Sequence, residues 1–219
     1  MPGSRVWTVL VTLLVPVALV LAAVRLLLTP AFIQVEYRRP FFPPDPFGFT
    51  TAERLHWAEL ARQYLLNDAD ASFLTNLRFA NQQPVFNQRE IRHLEDVKAV
   101  VRGALWVGYV SWAVLVGLGV WARRRGRPWW DAYRAAVARG GWLTLFMMLA
   151  IGVTVLVAFG PFFVFFHRLF FEGDSWLFAW NDTLIRLFPE QFWVDAFLAV
   201  AGLSALAAWA LTRWAPRGE

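Results

Sequence analysis

The stretch GWLTLFMMLAIGVTVLVAFGPFFVFF, residues 141–166, contains no Asp, Glu, Lys or Arg. A helix needs about 20 consecutive apolar residues to cross the hydrocarbon layer of a bilayer. Three further long apolar runs lie at 6–29, 100–122 and 193–212. In a chain of 219 residues, 58% of them hydrophobic, four such runs predict an all-α membrane protein with four transmembrane helices.

The charged residues follow these runs rather than spreading evenly along the chain, whose formal net charge is +5. The link 123–140 contains six arginines against one acid, Asp131, and the tail 213–219 adds two more arginines. Loops rich in Lys and Arg remain in the cytoplasm. The pattern therefore predicts a cytoplasmic link and cytoplasmic termini, and it does not indicate a nucleic-acid partner.

This topology divides the chain into alternating spans and connecting segments. The first run is longer than the apolar part of a signal peptide, which is about 7–15 residues, so we expect it to be an uncleaved span. In order, the predicted parts are 1–29 (N-terminus and first span), 30–99 (extracytoplasmic cap), 100–122 (second span), 123–140 (basic cytoplasmic link), 141–166 (third span), 167–192 (extracytoplasmic loop), 193–212 (fourth span) and 213–219 (cytoplasmic tail).

The cap between the first two spans is predicted to be mostly helical. A capping-box spacing that starts at Thr50 predicts an amphipathic helix near 51–66. The same spacing starts at Asn87, and neither Gly nor Pro interrupts 88–102. A second helix is therefore expected to start near 88 and to continue directly into the second span.

The absence of cysteine from the sequence excludes disulfides, a thiolate nucleophile and cysteine-based zinc sites in this chain. The three histidines do not form an HExxH motif, and the sequence has no nucleotide-binding loop. The sequence therefore supports no metal site and no cofactor.

His93 is the first candidate for chemistry, because it lies in the charged segment just before the second span. Glu90 precedes it by three residues and Asp96 follows it by three, so all three side chains can share a helix face. A carboxylate beside an imidazole raises the basicity of the ring, which suits a general base. The alternative is a solvated helix end in which Glu90 caps the helix.

His167 is the second candidate, and phenylalanines flank it on both sides. Removal from water favours the neutral imidazole, and the predicted topology places His167 on the same side of the membrane as His93. The alternative is an interfacial aromatic-belt residue. Asp174 and Asp182 follow on the same loop, where they would bind a cation, orient a histidine or cap short helices.

Three segments resemble a known family. VFNQREIRHLEDVK (85–98) and FHRLFFEGDSWLF (166–178) resemble the two signature segments of the bacterial lipoprotein intramolecular transacylases, which are four-span membrane proteins. NDTLIRLFP (181–189) resembles their third segment. The resemblance covers most of the chain.

The resemblance implies an enzyme of the bacterial cytoplasmic membrane that acts at the outer leaflet on diacylated lipoproteins. Such an enzyme moves the sn-2 acyl chain of a diacylglyceryl-lipoprotein to the α-amino group of its N-terminal Cys, giving the lyso-form. On this hypothesis His93 is the general base, oriented by Glu90 or Asp96, and His167 is the second catalytic group. Asp174, Trp176 and Asp182 are supporting residues.

Two other functions remain open at this point. The first is a non-catalytic membrane protein that binds lipid or lipoproteins at the outer leaflet. The second is a proton-coupled transporter, against which stands the scarcity of ionisable residues within the predicted spans. The sequence leaves the oligomeric state open.

Overall fold

The structure is a computed structural model that describes residues 4–216, without the side chains of residues 4 and 5. The last three residues of the predicted tail, including Arg217, and the first three of the chain lie outside the described part. Over 4–216 the helices are α1 (Ser4–Leu27), α2 (Pro30–Tyr37), α3 (Thr51–Leu66), α4 (Ser72–Thr75), α5 (Gln88–Arg124), α6 (Arg127–Phe170), α7 (Thr183–Leu187) and α8 (Glu190–Thr212).

Four of these helices, α1, α5, α6 and α8, are long and apolar enough to cross a membrane. The segment between α1 and the apolar part of α5 contains α2, α3 and α4. The predicted fold class, an all-α membrane protein with four spans and a mostly helical cap, is confirmed.

The helices also extend into segments for which the sequence predicted no helix. α6 begins at Arg127, so most of the basic link is helical, and Gly126 makes the turn before it with a φ of +100°. Pro128 is compatible with this start, because backbone N–H groups in the first turn of a helix have no acceptor within the helix, and proline lacks only that N–H. α2 begins at Pro30 for the same reason.

A kink interrupts α6 shortly before its end. Ala158 has non-helical backbone angles (φ −145°, ψ 49°), three residues before Pro161. A proline inside a helix removes one backbone hydrogen bond, and its ring clashes with the carbonyl four residues earlier. The part of α6 after the kink carries His167.

The chain divides into two compact units. Within the described residues the first contains 4–26, 104–156 and 197–216, with a core that includes Val11, Val15, Leu115 and Tyr133. In this unit α1 and α6 approach closely: Thr12 donates a hydrogen bond to the carbonyl of Ala136 at 3.1 Å. Small residues at the contact permit such an approach between membrane helices.

The second unit contains 27–103 and 157–196. One of its two apolar clusters includes Tyr64, Leu74, Phe86 and Leu187, and the other includes Ile33, Tyr37, Ala58 and Phe192. A Pro-rich strap, residues 39–49, connects α2 to α3.

Two arginines hold this strap. Arg186 of α7 donates to the Asp45 carboxylate at 2.9 Å, and its guanidinium lies over the Phe49 ring at 3.5 Å. Arg54 of α3 donates to the carbonyl of Pro43 at 2.7 Å. Burial alone would raise the pKa of Asp45, but hydrogen bonds from Arg186 and from the backbone N–H of Phe49 hold that pKa below its ordinary value.

Candidate active site

His93 on α5 and His167 near the end of α6 lie side by side in the second unit. Their ring centroids are 6.1 Å apart, and the ring planes are inclined by 22°. Each residue is only 8% exposed. The sequence predicted the two histidines on one side of the membrane, and the structure brings the two imidazoles within reach of a single small group.

A backbone hydrogen bond fixes the protonation of His167. Its Nδ1 lies 2.9 Å from the carbonyl oxygen of Phe163, one turn earlier on the same helix. A carbonyl oxygen only accepts, so Nδ1 must carry the proton that is donated. The neutral ring therefore has its lone pair on Nε2, which is the basic atom of this imidazole.

His93 is bound differently. Its Nδ1 is buried and has no hydrogen-bond partner within residues 4–216. No protein acceptor thus selects one tautomer, and the ring can carry its proton on either nitrogen.

Aromatic rings enclose both imidazoles. Phe171 and Phe178 lie edge-on to His93, with centroids at 4.9 Å and 5.3 Å. Trp176 lies 5.0 Å from His167, and Phe163 lies 4.0 Å from it. This surrounding is apolar, which favours neutral over charged imidazoles.

Glu90, a predicted supporting residue, is 1% exposed, and its carboxylate binds backbone N–H groups. Oε1 accepts from the backbone N–H of Leu184 at 2.6 Å, and Oε2 accepts from that of Asn87 at 2.7 Å. The Asn87 side chain in turn accepts from the N–H of Glu90 at 3.0 Å. This is the capping box that the spacing predicted, and it also joins α5 to α7.

Asp182 supports the same junction. Its Oδ1 accepts from Asn87 Nδ2 at 2.9 Å, and its Oδ2 accepts from the N–H of Ala179 at 2.8 Å. Arg89 adds a bond to the carbonyl of Leu177 at 3.1 Å. Together these contacts fix the loop 171–182 against the beginning of α5.

The remaining supporting residues differ in position. Trp176 is buried against His167 and donates from Nε1 to the carbonyl of Gly173 at 3.1 Å. Asp96 and Asp174 have exposed side chains, and in the described part of the chain neither makes a hydrogen bond or ion pair to a histidine. The structure therefore brings Trp176, but not these two acids, to the imidazoles.

The described residues contain no group of three or more His, Cys, Asp and Glu side chains that could hold a metal ion. What the site offers is the lone pair on Nε2 of His167, a second imidazole whose tautomer is not fixed, and apolar walls. Such a site can move a proton between two reacting atoms and donate a hydrogen bond to a developing negative charge.

Sequence reasoning placed Phe171 among the phenylalanines that flank His167, but it did not predict that Phe171 and Phe178 pack against His93. The chain contains 20 phenylalanines, and nothing in the local pattern separates these two from the rest. The only sequence signal for these two residues is that both lie in the segment 166–178, which resembles a signature segment of the family.

Comparisons with known proteins identify the family of this chain. Residues 8–193 match the family model described as lipoprotein intramolecular transacylase Lit. A protein of Aquifex aeolicus (strain VF5), described as uncharacterized, is 31% identical over 182 residues, covering 83% of this chain and 80% of the relative.

Solved structures share the fold. The in meso structure of the membrane integral lipoprotein intramolecular transacylase Lit from Bacillus cereus superposes with a TM-score of 0.74 at 18% identity, covering 97% of this chain and 95% of that one. A variant of the same protein, with a histidine replaced by arginine, gives a TM-score of 0.56 at 18% identity, with coverages of 97% and 91%.

Proposed function

Since the chain belongs to the lipoprotein intramolecular transacylase family, we propose that His93 and His167 catalyse its acyl transfer. The family match confirms the resemblance of the sequence segments, and it does not favour a non-catalytic lipid-binding protein. The chain is a multi-pass membrane transacylase. Its reaction moves the sn-2 acyl chain of a diacylglyceryl-lipoprotein to the α-amino group of the N-terminal Cys.

The reaction requires one proton to move between two atoms of the substrate. The α-amino group has a pKa of about 8 and attacks only without its extra proton. Its nitrogen forms a bond to the ester carbonyl carbon, and the bond from that carbon to the glycerol oxygen breaks. The proton lost by the nitrogen ends on the glycerol oxygen, so product and substrate have the same mass.

The hydrogen bond from His167 to Phe163 supports a division of labour between the histidines. The sequence hypothesis gave the base role to His93, but His167 has a lone pair fixed on Nε2 by that hydrogen bond. We therefore assign His167 to take the proton from the amine and return it to the glycerol oxygen. The ring of His93 can carry its proton on Nε2. From that atom it donates a hydrogen bond to the oxyanion of the tetrahedral intermediate.

The location of the substrate fits the same assignment. Both histidines lie outside the longest apolar parts of their helices, and the arginine-rich link predicts that this side is extracytoplasmic. Diacylated lipoproteins held in the outer leaflet would then present the ester at headgroup depth. We propose that Glu90, Asp182 and Trp176 support the site through the loop 171–182, and that Asp96 and Asp174 contribute less.

The experiment uses the purified chain and a synthetic diacylated lipopeptide. The wild type is expected to convert it to an isomer of equal mass whose amine no longer reacts with an amine label. His93→Ala and His167→Ala should each lower the rate about 100-fold or more, since a positioned acid or base contributes about that much. Wild-type levels of lyso-form from either variant would remove that histidine from the mechanism.

Glutamine variants separate the two roles. The glutamine amide places an N–H near the position of imidazole Nε2, so His93→Gln keeps a donor and should retain part of the rate. An amide nitrogen has no basic lone pair, so His167→Gln should be as slow as His167→Ala. The reverse order would assign the base to His93.

A further inference from the structure

We propose that Phe171, Trp176 and Phe178, here called the aromatic roof, exclude water from the histidine pair and so direct the acyl group to the amine rather than to water. This inference rests on the proposed function. It assigns to the roof the choice between transfer and hydrolysis.

The choice arises because both reactions use the same catalyst. A base that deprotonates the amine also activates water for attack on the same ester carbonyl. In hydrolysis the water oxygen bonds to the carbonyl carbon, the bond to the glycerol oxygen breaks, and a water proton moves to that oxygen. The products are a free fatty acid and a monoacyl lipopeptide whose amine is still free. A transacylase therefore needs a means of keeping water from the carbonyl.

The rings of the roof have the position and the polarity for this task. Phe171 and Phe178 stand edge-on to His93 at 4.9 Å and 5.3 Å, and Trp176 lies 5.0 Å from His167. The only polar atom among the three side chains, Nε1 of Trp176, donates to the carbonyl of Gly173 at 3.1 Å. The roof thus offers no side-chain group to hold a water beside the imidazoles.

The loop that carries the roof is held on both sides. The N–H of Phe171 donates to the carbonyl of His167 at 2.8 Å, and that of Leu177 donates to the carbonyl of Asp174 at 3.1 Å. Arg89 of α5 donates a hydrogen bond to the carbonyl of Leu177 at 3.1 Å. These bonds hold the loop, and with it the three rings, against the histidine pair.

The roof has a matched control on the same loop. Trp180 is an aromatic residue of the same type as Trp176, but it is 81% exposed, whereas Trp176 is 8% exposed. Removal of the Trp180 ring therefore changes the loop without opening the histidine pair.

The experiment measures the ratio of hydrolysis to transfer for the purified full chain with a synthetic diacylated lipopeptide in water enriched in heavy oxygen. Transfer leaves the lipopeptide mass unchanged, whereas hydrolysis releases a fatty acid that contains the label. Trp176→Ala and Phe178→Ala are expected to raise the ratio about tenfold, which corresponds to about 1.4 kcal/mol between the two barriers. Trp180→Ala is expected to keep the wild-type ratio.

The ratio separates this role from a purely structural one, because damage to the fold lowers both products together. Phe178→Leu retains part of the apolar cover and should give a ratio between those of the wild type and Phe178→Ala; if the alanine variants are inactive, it carries the test. An unchanged ratio in the roof variants overturns the inference and leaves the proposed function intact. A wild type that forms no isomer overturns the proposed function itself.

Discussion

The carboxylate of Glu90 accepts a hydrogen bond from the backbone N–H of Leu184 at 2.6 Å. The acid three residues before His93 thus binds α7 and not the imidazole. Its second oxygen binds the N–H of Asn87 at 2.7 Å. One buried side chain therefore caps α5 and ties it to the segment that follows the aromatic roof.

The first prediction concerns this junction. Glu90→Gln keeps the shape of the side chain but turns one acceptor oxygen into an NH₂ group that faces a backbone N–H. A buried donor left without an acceptor costs about 1–3 kcal/mol. The variant should therefore have a lower melting temperature in detergent micelles. Glu95→Gln, an exposed change on the same helix, serves as the control and should melt like the wild type. Equal melting of Glu90→Gln and the wild type would contradict a structural role.

The second prediction is the tautomer of His167. Because Nδ1 donates to Phe163 at 2.9 Å, nitrogen NMR of the labelled protein should show a protonated Nδ1 and an unprotonated Nε2. The spectrum of the His167→Ala variant identifies the signals. Finding the proton on Nε2 would remove the reason for naming His167 as the base.

The parts of the fold that depend on local pattern could be predicted from the sequence. The run 141–166 is apolar throughout, so its place in a spanning helix follows from composition alone. The caps at Thr50 and Asn87 were visible because a capping box joins residues only three positions apart. α3 begins at Thr51 and α5 at Gln88.

The parts that depend on distant contacts could not be predicted. The spacing of the charged residues around His93 is compatible with two roles for Glu90, which are to orient the imidazole or to cap the helix. Only the position of Leu184, which is distant in the sequence, distinguishes these two roles. The start of α6 at Arg127 could likewise not be predicted, because the arginines of the basic link indicate membrane topology rather than backbone conformation. The partners of His93 in the roof are set by the path of the loop 171–182, which no local period encodes.

The third prediction is a pH dependence of stability due to Glu36. This residue is 3% exposed and lies beside Arg39 and Asp195. Burial, with a further contribution from Asp195, raises the pKa of Glu36 from 4.5 to about 7. A carboxyl whose folded pKa is raised is most stabilising below about pH 4.5, and this contribution is lost as the pH rises through about 7.

Glu36→Gln does not titrate, so its melting temperature should fall less than that of the wild type between about pH 5 and about pH 8. A difference of a few degrees is expected, since about 1 kcal/mol shifts the melting temperature of a chain of this size by about 2–4 °C. Glu172→Gln, an exposed change, should follow the wild-type profile. Parallel profiles for the wild type and Glu36→Gln would show that Glu36 does not titrate in this range.

The fourth prediction concerns the strap 39–49. The Asp45 side chain is fully buried and Arg186 is 15% exposed in their ion pair. Removing one partner of a buried pair costs about 3–5 kcal/mol. Arg186→Ala should therefore lower the melting temperature and speed tryptic cleavage after Arg38, at the start of the strap.

A double-mutant cycle isolates that pair. Asp45→Asn combined with Arg186→Ala should cost less than the sum of the single changes, because the second change removes a charge already left without its partner. Arg168→Ala, an exposed arginine near the end of α6, should alter neither melting nor cleavage of the strap. Strict additivity in the cycle would show that the strap is held by other contacts.

The fifth prediction tests the contact between α1 and α6. A Cβ atom added at Gly140 would lie 2.6 Å from Cβ of Val15 and 2.8 Å from the carbonyl oxygen of Thr12, whereas one added at Gly152 would meet nothing within 4 Å. Overpacking of this kind costs about 1–3 kcal/mol, so Gly140→Ala should melt at a lower temperature. Gly152→Ala should match or exceed the wild type, because alanine favours a helix over glycine by up to about 1 kcal/mol. Equal melting of the two variants would mean that the helices do not meet at Gly140, since helix propensity alone stabilises both.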